Sequence, residues 1–374
     1  MIHTPSGRDA DIPAHSASGG APGAPPDWWI YQGTGNVMDT AERDRRWPPP
    51  PEWRDFPYGP DVEPPPADER EFRRRLGDIR PFRVEAHEVR MVNAAIYLRR
   101  PLLVTGRPGV GKSSLAYRIA RELRLGPVLR WPITSRATLR SALYEYDAIG
   151  RAQAIGWRTA PMARASGDPE GGDADRAGLS IGDFLHLGPL GTALLPYKLP
   201  RVLLIDEMDK SDFDLPNDLL NIFEDGDFAI PELVRLRNRT PEVVVHTADR
   251  GHTATVRDGV VRCHEFPIVI VTSNGERDFS GAFLRRCLRL EIPDPDADRL
   301  AAMVAAHFPK GTNGYSSELI AAFLERRRLS GSLAADQLLH AVHLATSGAF
   351  QPDDPAGWNA LVESLWSSLS PTGP

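Results

Sequence analysis

From about Phe82 the sequence alternates short apolar runs with helical segments, and this alternation restricts the fold more than any other feature. The runs are Pro101–Thr105, Val128–Ile133, Val202–Ile205 and Ile268–Thr272, with a final strand expected over Leu288–Ile292. They are continuously apolar, so the strands are expected to be buried on both faces. With helices between them, this predicts a parallel sheet covered on both sides, an α/β architecture. In such sheets binding groups gather at the carboxyl ends of the strands. Glu88–Arg100 carries Val89, Val92, Ala95 and Ile96 on one stripe and reads as a helix. After Pro293 the pattern is helical throughout, over about Ala297–Phe308, Ser316–Arg328, Leu333–Thr346 and Pro355–Leu369. The expected organisation is an arm over 1–75, a sheet-containing core over 76–293 and a small all-helical domain over 294–374.

Two stretches break the alternation. Ser166–Gly182 reads as an exposed flexible insertion, and Glu242–Cys263 as a β-hairpin with strands Val243–His246 and Thr253–Val256 turning near Asp249–Gly251. Residues 1–67, rich in Pro, Gly, Ala and Asp, read as an extended, largely unpacked, disordered arm. Four of the eight tryptophans nevertheless lie there: Trp28, Trp29, Trp47 and Trp53. A pure spacer needs none, so one or two aromatic anchors are expected to dock on this protein's own core or on a partner.

The chemistry starts at Gly106-Arg107-Pro108-Gly109-Val110-Gly111-Lys112-Ser113, with Ser114 behind it, which fits GxxxxGK(S/T) between a strand and a helix. The glycines let the backbone curl so that its N–H groups surround phosphates, and the following helix adds its positive end. Lys112 reaches the outer phosphates and the Ser113 hydroxyl holds magnesium, so ATP and Mg2+ are the expected ligands. Next, Val202–Ile205 ends in Asp206-Glu207, which puts two carboxylates in the binding crevice. Asp206 is the second magnesium ligand, directly or through water, and Glu207 activates the attacking water. Ile268–Thr272 leads to Ser273-Asn274, whose amide can report the terminal phosphate. Arg285 and Arg286 end a helix before the last strand. Presented to a neighbouring subunit's nucleotide, one of them would supply transition-state charge, Arg286 in first place and Arg285 in second. Asp209 and Asp212 read as members of a solvated turn.

Composition removes other classes. A net charge of -6 argues against a dedicated nucleic-acid-binding surface. No apolar run is long enough to span a membrane and the start lacks a signal-peptide pattern, so a cytoplasmic location is expected. Two cysteines, Cys263 and Cys287, are too few for a disulfide framework and read as small buried hydrophobes. His246, His252, Cys263 and His264 match no closed four-ligand spacing, so no zinc site is expected there.

The ordered set GRPGVGKSS, VLLIDEMDK, IVIVTSN and FLRRC, followed by a helical region, resembles an AAA+ ATPase, and within that family the MoxR-type group. Phe184–Pro196, Asp206–Glu224 and Arg130–Gly150 carry the finer likeness, and the resemblance spans roughly 80–350. It implies a P-loop αβα core with a five-stranded parallel sheet, a helical lid, ATP between the two, and hexameric rings. It also implies chaperone-like remodelling of a protein partner, often one with a von Willebrand factor A domain. By position, Lys112 and Ser113, Asp206 and Glu207, Asn274, and Arg285 with Arg286 take the family's loop, acidic, sensor and finger roles. Glu242–Cys263 sits where several ring motors present a substrate-facing loop. One departure stands out: Ser330–Ala335 lacks the usual basic residue of the third lid helix, which leaves Arg326, Arg327 or Arg328 to replace it. A nucleotide-gated scaffold with little turnover is the alternative function, and a DNA motor is disfavoured by the net charge and the absence of an appended DNA-binding module.

Overall fold

The computed structural model describes residues 26–56, 58–59, 62–77, 84–162, 179–308, 315–330, 333–347 and 355–366. Strands β1 (Leu102–Thr105), β2 (Leu129–Pro132), β5 (Val202–Asp206), β10 (Ile268–Ser273) and β11 (Leu288–Glu291) form a five-stranded parallel sheet in the order β11-β1-β10-β5-β2. The central strands are buried along their length, and the edge strands β2 and β11 alternate instead. Their exposed positions include Arg130 and Arg289. Strand pleating divides the core in two. Leu102, Val104, Val202 and Leu204 pack with Val92, Ile96, Leu115 and Ile119 on one face. Leu103, Leu203, Ile205 and Val271 pack with Leu190, Leu219, Phe223 and Phe283 on the other.

The predicted hairpin is present as β7 (Glu242–His246) and β8 (Thr253–Arg257), paired antiparallel. It belongs to a larger second sheet, with β3 (Tyr144–Tyr146), β4 (Leu185–Leu187), β6 (Asp227–Ala229) and β9 (Val260–Arg262) in the order β3-β4-β7-β8-β9-β6. All four added strands have three residues, too few for a period to show in the sequence. The hairpin turn is fastened to the core. Arg201, fully buried just before β5, donates to both Asp249 carboxylate oxygens at 2.8 and 2.9 Å. It also donates to Tyr197 Oη and the Pro127 carbonyl. Of the insertion expected over Ser166–Gly182, residues 166–178 lie outside the described residues. Its end is packed rather than exposed: Ile181 and Gly182 are buried, and Gly182 has no room for a Cβ against Val244.

The unpacked arm needs correction from residue 26 onward, residues 1–25 lying outside the described residues. Trp29, Ile30 and Tyr31 are buried against the helix Ala86–Leu98. There the Asn93 side chain accepts from the backbone N–H groups of Ile30 and Tyr31 and donates to the Tyr31 carbonyl. Farther along, Arg43 donates to the Leu123 and Arg124 carbonyls, and Phe56 stacks on Phe266. Aromatic burial and satisfied backbone groups outweigh what the proline-rich composition suggests. The expected docking on the protein's own core is therefore observed. The C-terminal helices Ala297–His307, Tyr315–Ser330, Ala335–Thr346 and Pro355–Leu365 enclose their own cluster around Leu300, Phe323, Leu338, Val342 and Trp366.

Candidate functional site

The glycine-rich loop leaves the carboxyl end of β1, and the helix Lys112–Glu122 follows at once. Gly111 has φ of 96°, a region L-residues avoid. At Gly109 a Cβ would come within 2.6 Å of the Ala335 backbone nitrogen, so the loop and the C-terminal helical region meet backbone to backbone. Lys112 is 7% exposed, and its ammonium donates to the Gly106 and Arg107 carbonyls at 2.7 and 2.8 Å and to Asn274 Oδ1 at 2.7 Å. Burial pulls its pKa below the ordinary lysine value, opposed in part by the Asp209, Glu207 and Asp206 carboxylates.

Asp206 closes β5, directly across from the loop. Its Oδ1 accepts from the Ser113 hydroxyl at 2.6 Å and from Thr272 Oγ1 at 2.9 Å. Its Oδ2 takes both Nη2 and Nε of Arg130, at 2.8 and 3.2 Å. Burial would raise the Asp206 pKa, but the hydrogen bonds from Ser113, Arg130 and Thr272 and the Arg130 charge outweigh it and hold the carboxyl below its ordinary value. Ser113 and Asp206, the expected magnesium pair, thus already share a hydrogen bond. Hard oxygen donors of this kind suit Mg2+. Arg130 is a site residue that the sequence reading missed. Its strand was recognised, but nothing local shows that an edge-strand arginine faces a carboxylate.

Glu207 adopts the left-handed region, φ 64° and ψ 52°, which for a residue with a Cβ costs roughly 1–2 kcal/mol. Its backbone N–H donates to Thr272 Oγ1 at 2.8 Å, which fixes this turn, and its half-exposed carboxylate meets Lys210 Nζ at 2.8 Å. The turn lifts the side chain out of the strand line at the crevice. Asn274 arrives from β10, and its position depends on Asp209. The Asp209 Oδ2 accepts from the backbone N–H groups of Asn274 and Glu276 at 2.8 and 3.2 Å. The solvated-turn reading of Asp209 is therefore corrected: at 7% exposure it anchors the loop that carries Asn274. For the ATP hydrolysis that the sequence leads one to expect of this site, Asp209→Ala should slow turnover about tenfold or more by letting that loop shift, with nucleotide affinity largely kept. Paired turnover and binding measurements check this, and unchanged turnover would show that the loop holds without Asp209.

Arg285 and Arg286 are not brought to this cluster. They end the helix Gly281–Arg286 at the amino end of β11, whereas the loop leaves the carboxyl end of the adjacent β1. Four paired residues put roughly 13 Å between these two edges. Arg286 pairs with Glu224 at 2.9 Å, and Arg100 donates to the backbone carbonyls of both arginines. The Arg285 side chain is exposed and has no partner among the described residues.

Beside the loop lies a cavity of about 320 Å3, bordered by Gly111, Ser114 and Arg118 of the core, Arg299 and Met303 of the first C-terminal helix, and Gly33 of the arm. Glu122 holds the arm there, its carboxylate accepting from the backbone N–H groups of Gln32, Gly33 and Gly35 at 2.6, 3.1 and 3.2 Å. Burial raises the Glu122 pKa against these hydrogen bonds. The arm's share in this cavity was not expected; the sequence signal for it is the Gly33-Thr34-Gly35 turn directly after an aromatic anchor.

The family model described as AAA domain (dynein-related subfamily) matches residues 101–287, half of the chain. Among solved structures, similarity extends to the FIGL-1 AAA domain in complex with ADP, with 14% identity over 74% of each chain and a TM-score of 0.34. NtrX from Brucella abortus in complex with ADP is 14% identical over 81% of this chain and 59% of that one, with a TM-score of 0.38. PCH-2 of C. elegans is 13% identical over 79% of this chain and 70% of that one, with a TM-score of 0.35. A search of curated protein sequences found no match. The family match begins at the first strand of the parallel sheet, takes in the glycine-rich loop, Asp206-Glu207 and Asn274, and ends behind the paired arginines: the chain belongs to the AAA domain family, dynein-related subfamily.

Proposed function

We propose that this protein is a MoxR-type AAA+ ATPase that binds and hydrolyses ATP as a ring and uses the cycle to remodel or activate a protein partner. The observation that carries this reading is the convergence of Lys112, Ser113, Asp206, Glu207 and Asn274 at one end of the parallel sheet. In it the loop Gly106–Ser114 cradles the phosphates, Lys112 neutralises them and the neighbouring cavity takes the nucleoside. Magnesium, held by Ser113 and Asp206, supplies charge neutralisation during phosphoryl transfer. Glu207 orients and deprotonates the attacking water, and Asn274 positions it.

The ring follows from the arginines. Neither can reach its own chain's phosphates across the sheet, so a finger role requires a second copy. Arg285, exposed and unpaired among the described residues, fits that role better than Arg286, which Glu224 engages. Hexameric stoichiometry, a von Willebrand factor A domain partner and a cytoplasmic location rest on the resemblance and composition; no helix among the described residues is long and apolar enough to cross a membrane. The functional division remains an arm over 1–75, a core over 76–293 and a lid over 294–374, with the arm lending Gly33 and Gly35 to the nucleoside cavity.

ATP turnover per chain should rise with protein concentration, and Arg285→Ala should lower it by roughly 10³-fold or more at concentrations where the ring is assembled. Arg286→Ala should do less. Turnover that is independent of concentration and indifferent to both substitutions would refute the ring. Concentration-dependent assembly without measurable turnover would favour a nucleotide-gated scaffold instead.

A further inference from the structure

Glu88 lies in the helix Ala86–Leu98 with 4% of its surface exposed, and its two carboxylate oxygens face arginines from different parts of the chain. Arg118 Nη2, on the helix behind the glycine-rich loop, is 2.7 Å from Oε1. Arg299 Nη2, on the first lid helix, is 3.6 Å from Oε2. Both arginine side chains are largely buried, at 15% and 14% exposure. Both border the cavity that also touches Gly111 and Ser114. A carboxylate buried this deeply is costly without counter-charges. The fork therefore ties lid and core together at the cavity wall.

Two of the positions where the resemblance puts a lid cation, Ala334 and Ala335, are closed to one. Ala334 and Ala335 press on Gly109, the distance from a Gly109 Cβ to Ala334 Cβ being only 2.7 Å. Of the other candidates, Arg326 borders a different cavity, beside Trp358 and Trp366, Arg327 donates to the Pro295 carbonyl at 2.6 Å and Arg328 pairs with Glu325 at 3.2 Å. Arg299 is the lid arginine that borders the cavity. Arg75 borders it too, and among the described residues lining it none carries a carboxylate. The wall is thus cationic, and guanidinium groups offer the fork of donors that phosphate oxygens and ribose hydroxyls accept.

We propose that Arg299 is the lid residue that contacts the bound nucleotide, at its ribose and inner-phosphate part, and that Glu88 is the positioning residue that holds it there. The inference rests on reading the cavity as the nucleoside site, and the experiment separates the two.

The full chain is titrated with N-methylanthraniloyl-ADP and followed by fluorescence, each variant being held well below its own thermal midpoint. Arg299→Met should weaken binding roughly tenfold, the range of a charge-assisted hydrogen bond. Arg299→Lys should recover part of that loss, and Glu88→Gln should weaken binding less than Arg299→Met, by misplacing Arg299. Arg327→Met and Arg328→Met should bind like the parent. Lys112→Ala tests the underlying reading: if it binds the probe like the parent, the loop is not the phosphate site and both proposals fall. If Lys112→Ala loses binding while Arg299→Met stays within about twofold of the parent, the fork is only a structural tie and the proposal for Arg299 is overturned. It is overturned equally if Arg299→Met lowers the thermal midpoint alone, or if Arg327→Met carries the loss instead. Should Arg299→Met fail to fold, Arg299→Lys and Glu88→Gln decide the matter, since both keep the packing volume.

Discussion

Glu207→Gln is expected to cut ATP turnover by a factor of roughly 10²–10⁴, the contribution of a positioned general base, while nucleotide binding persists. The exchange is nearly isosteric. The backbone at 207 stays pinned through its N–H to Thr272 Oγ1, and an amide can still accept from Lys210 Nζ, the present partner at 2.8 Å. What it cannot do is take a proton from water. Because Lys112, Ser113 and Asp206 are untouched, the phosphate grip should remain. In the proposed ring the variant should accumulate with ATP and with its protein partner, so affinity capture in ATP followed by identification of the trapped protein reads the partner directly. Phosphate release and fluorescent-nucleotide binding, measured side by side, check the catalytic claim. Turnover within about threefold of the parent would move the base role away from Glu207. Unchanged partner release would turn the motor into a switch.

The largest stability effect should come from the opposite end of the same strand. Arg201→Met leaves the Asp249 carboxylate buried without its counter-charge, and removes donors to the Tyr197 hydroxyl and the Pro127 carbonyl. Breaking a buried pair from one side costs about 3–5 kcal/mol, much of it the penalty on the stranded partner. Urea denaturation should show the midpoint falling accordingly. Replacing Asp249 as well, as Arg201→Met with Asp249→Leu, should recover a large part of the loss, since the pair's own net worth is small once both charges are gone. If the double variant is no more stable than Arg201→Met, the cost lies in packing around Arg201 and not in the ion pair.

Legibility in the sequence followed sequence distance. The central strands of the parallel sheet were readable because burial on both faces leaves an uninterrupted apolar run, as in Val202–Ile205 and Ile268–Thr272. The strands β3, β4, β6 and β9 were not, because three residues carry no usable period. Asp209 looked solvated among polar neighbours; its burial depends on the backbone of Asn274, 65 residues later, folding over it. Arg130 reads as part of a strand in the sequence, and only pairing of β2 with β5 aims it at Asp206. The arm misled through composition: prolines favour an extended chain, but Trp29, Ile30 and Tyr31 bury enough apolar surface to fasten an extended segment to the core.

By itself the sequence determined the glycine-rich loop between a strand and a helix, the carboxylates behind an apolar strand, and the asparagine behind another. These are local patterns, in which backbone freedom at glycine and the polarity of a strand end act over a few residues. Tertiary structure decided how they combine. It set Ser113 against Asp206 across 93 residues, tied the arm to Glu122 across about 90, and brought Glu88 to a lid arginine more than 200 residues away. It also placed Arg285 and Arg286 at the amino end of β11, the end opposite to their own loop, which leaves the carboxyl end of the neighbouring β1. Contacts of that range depend on which faces the strands and helices bury together, and no local pattern encodes the result.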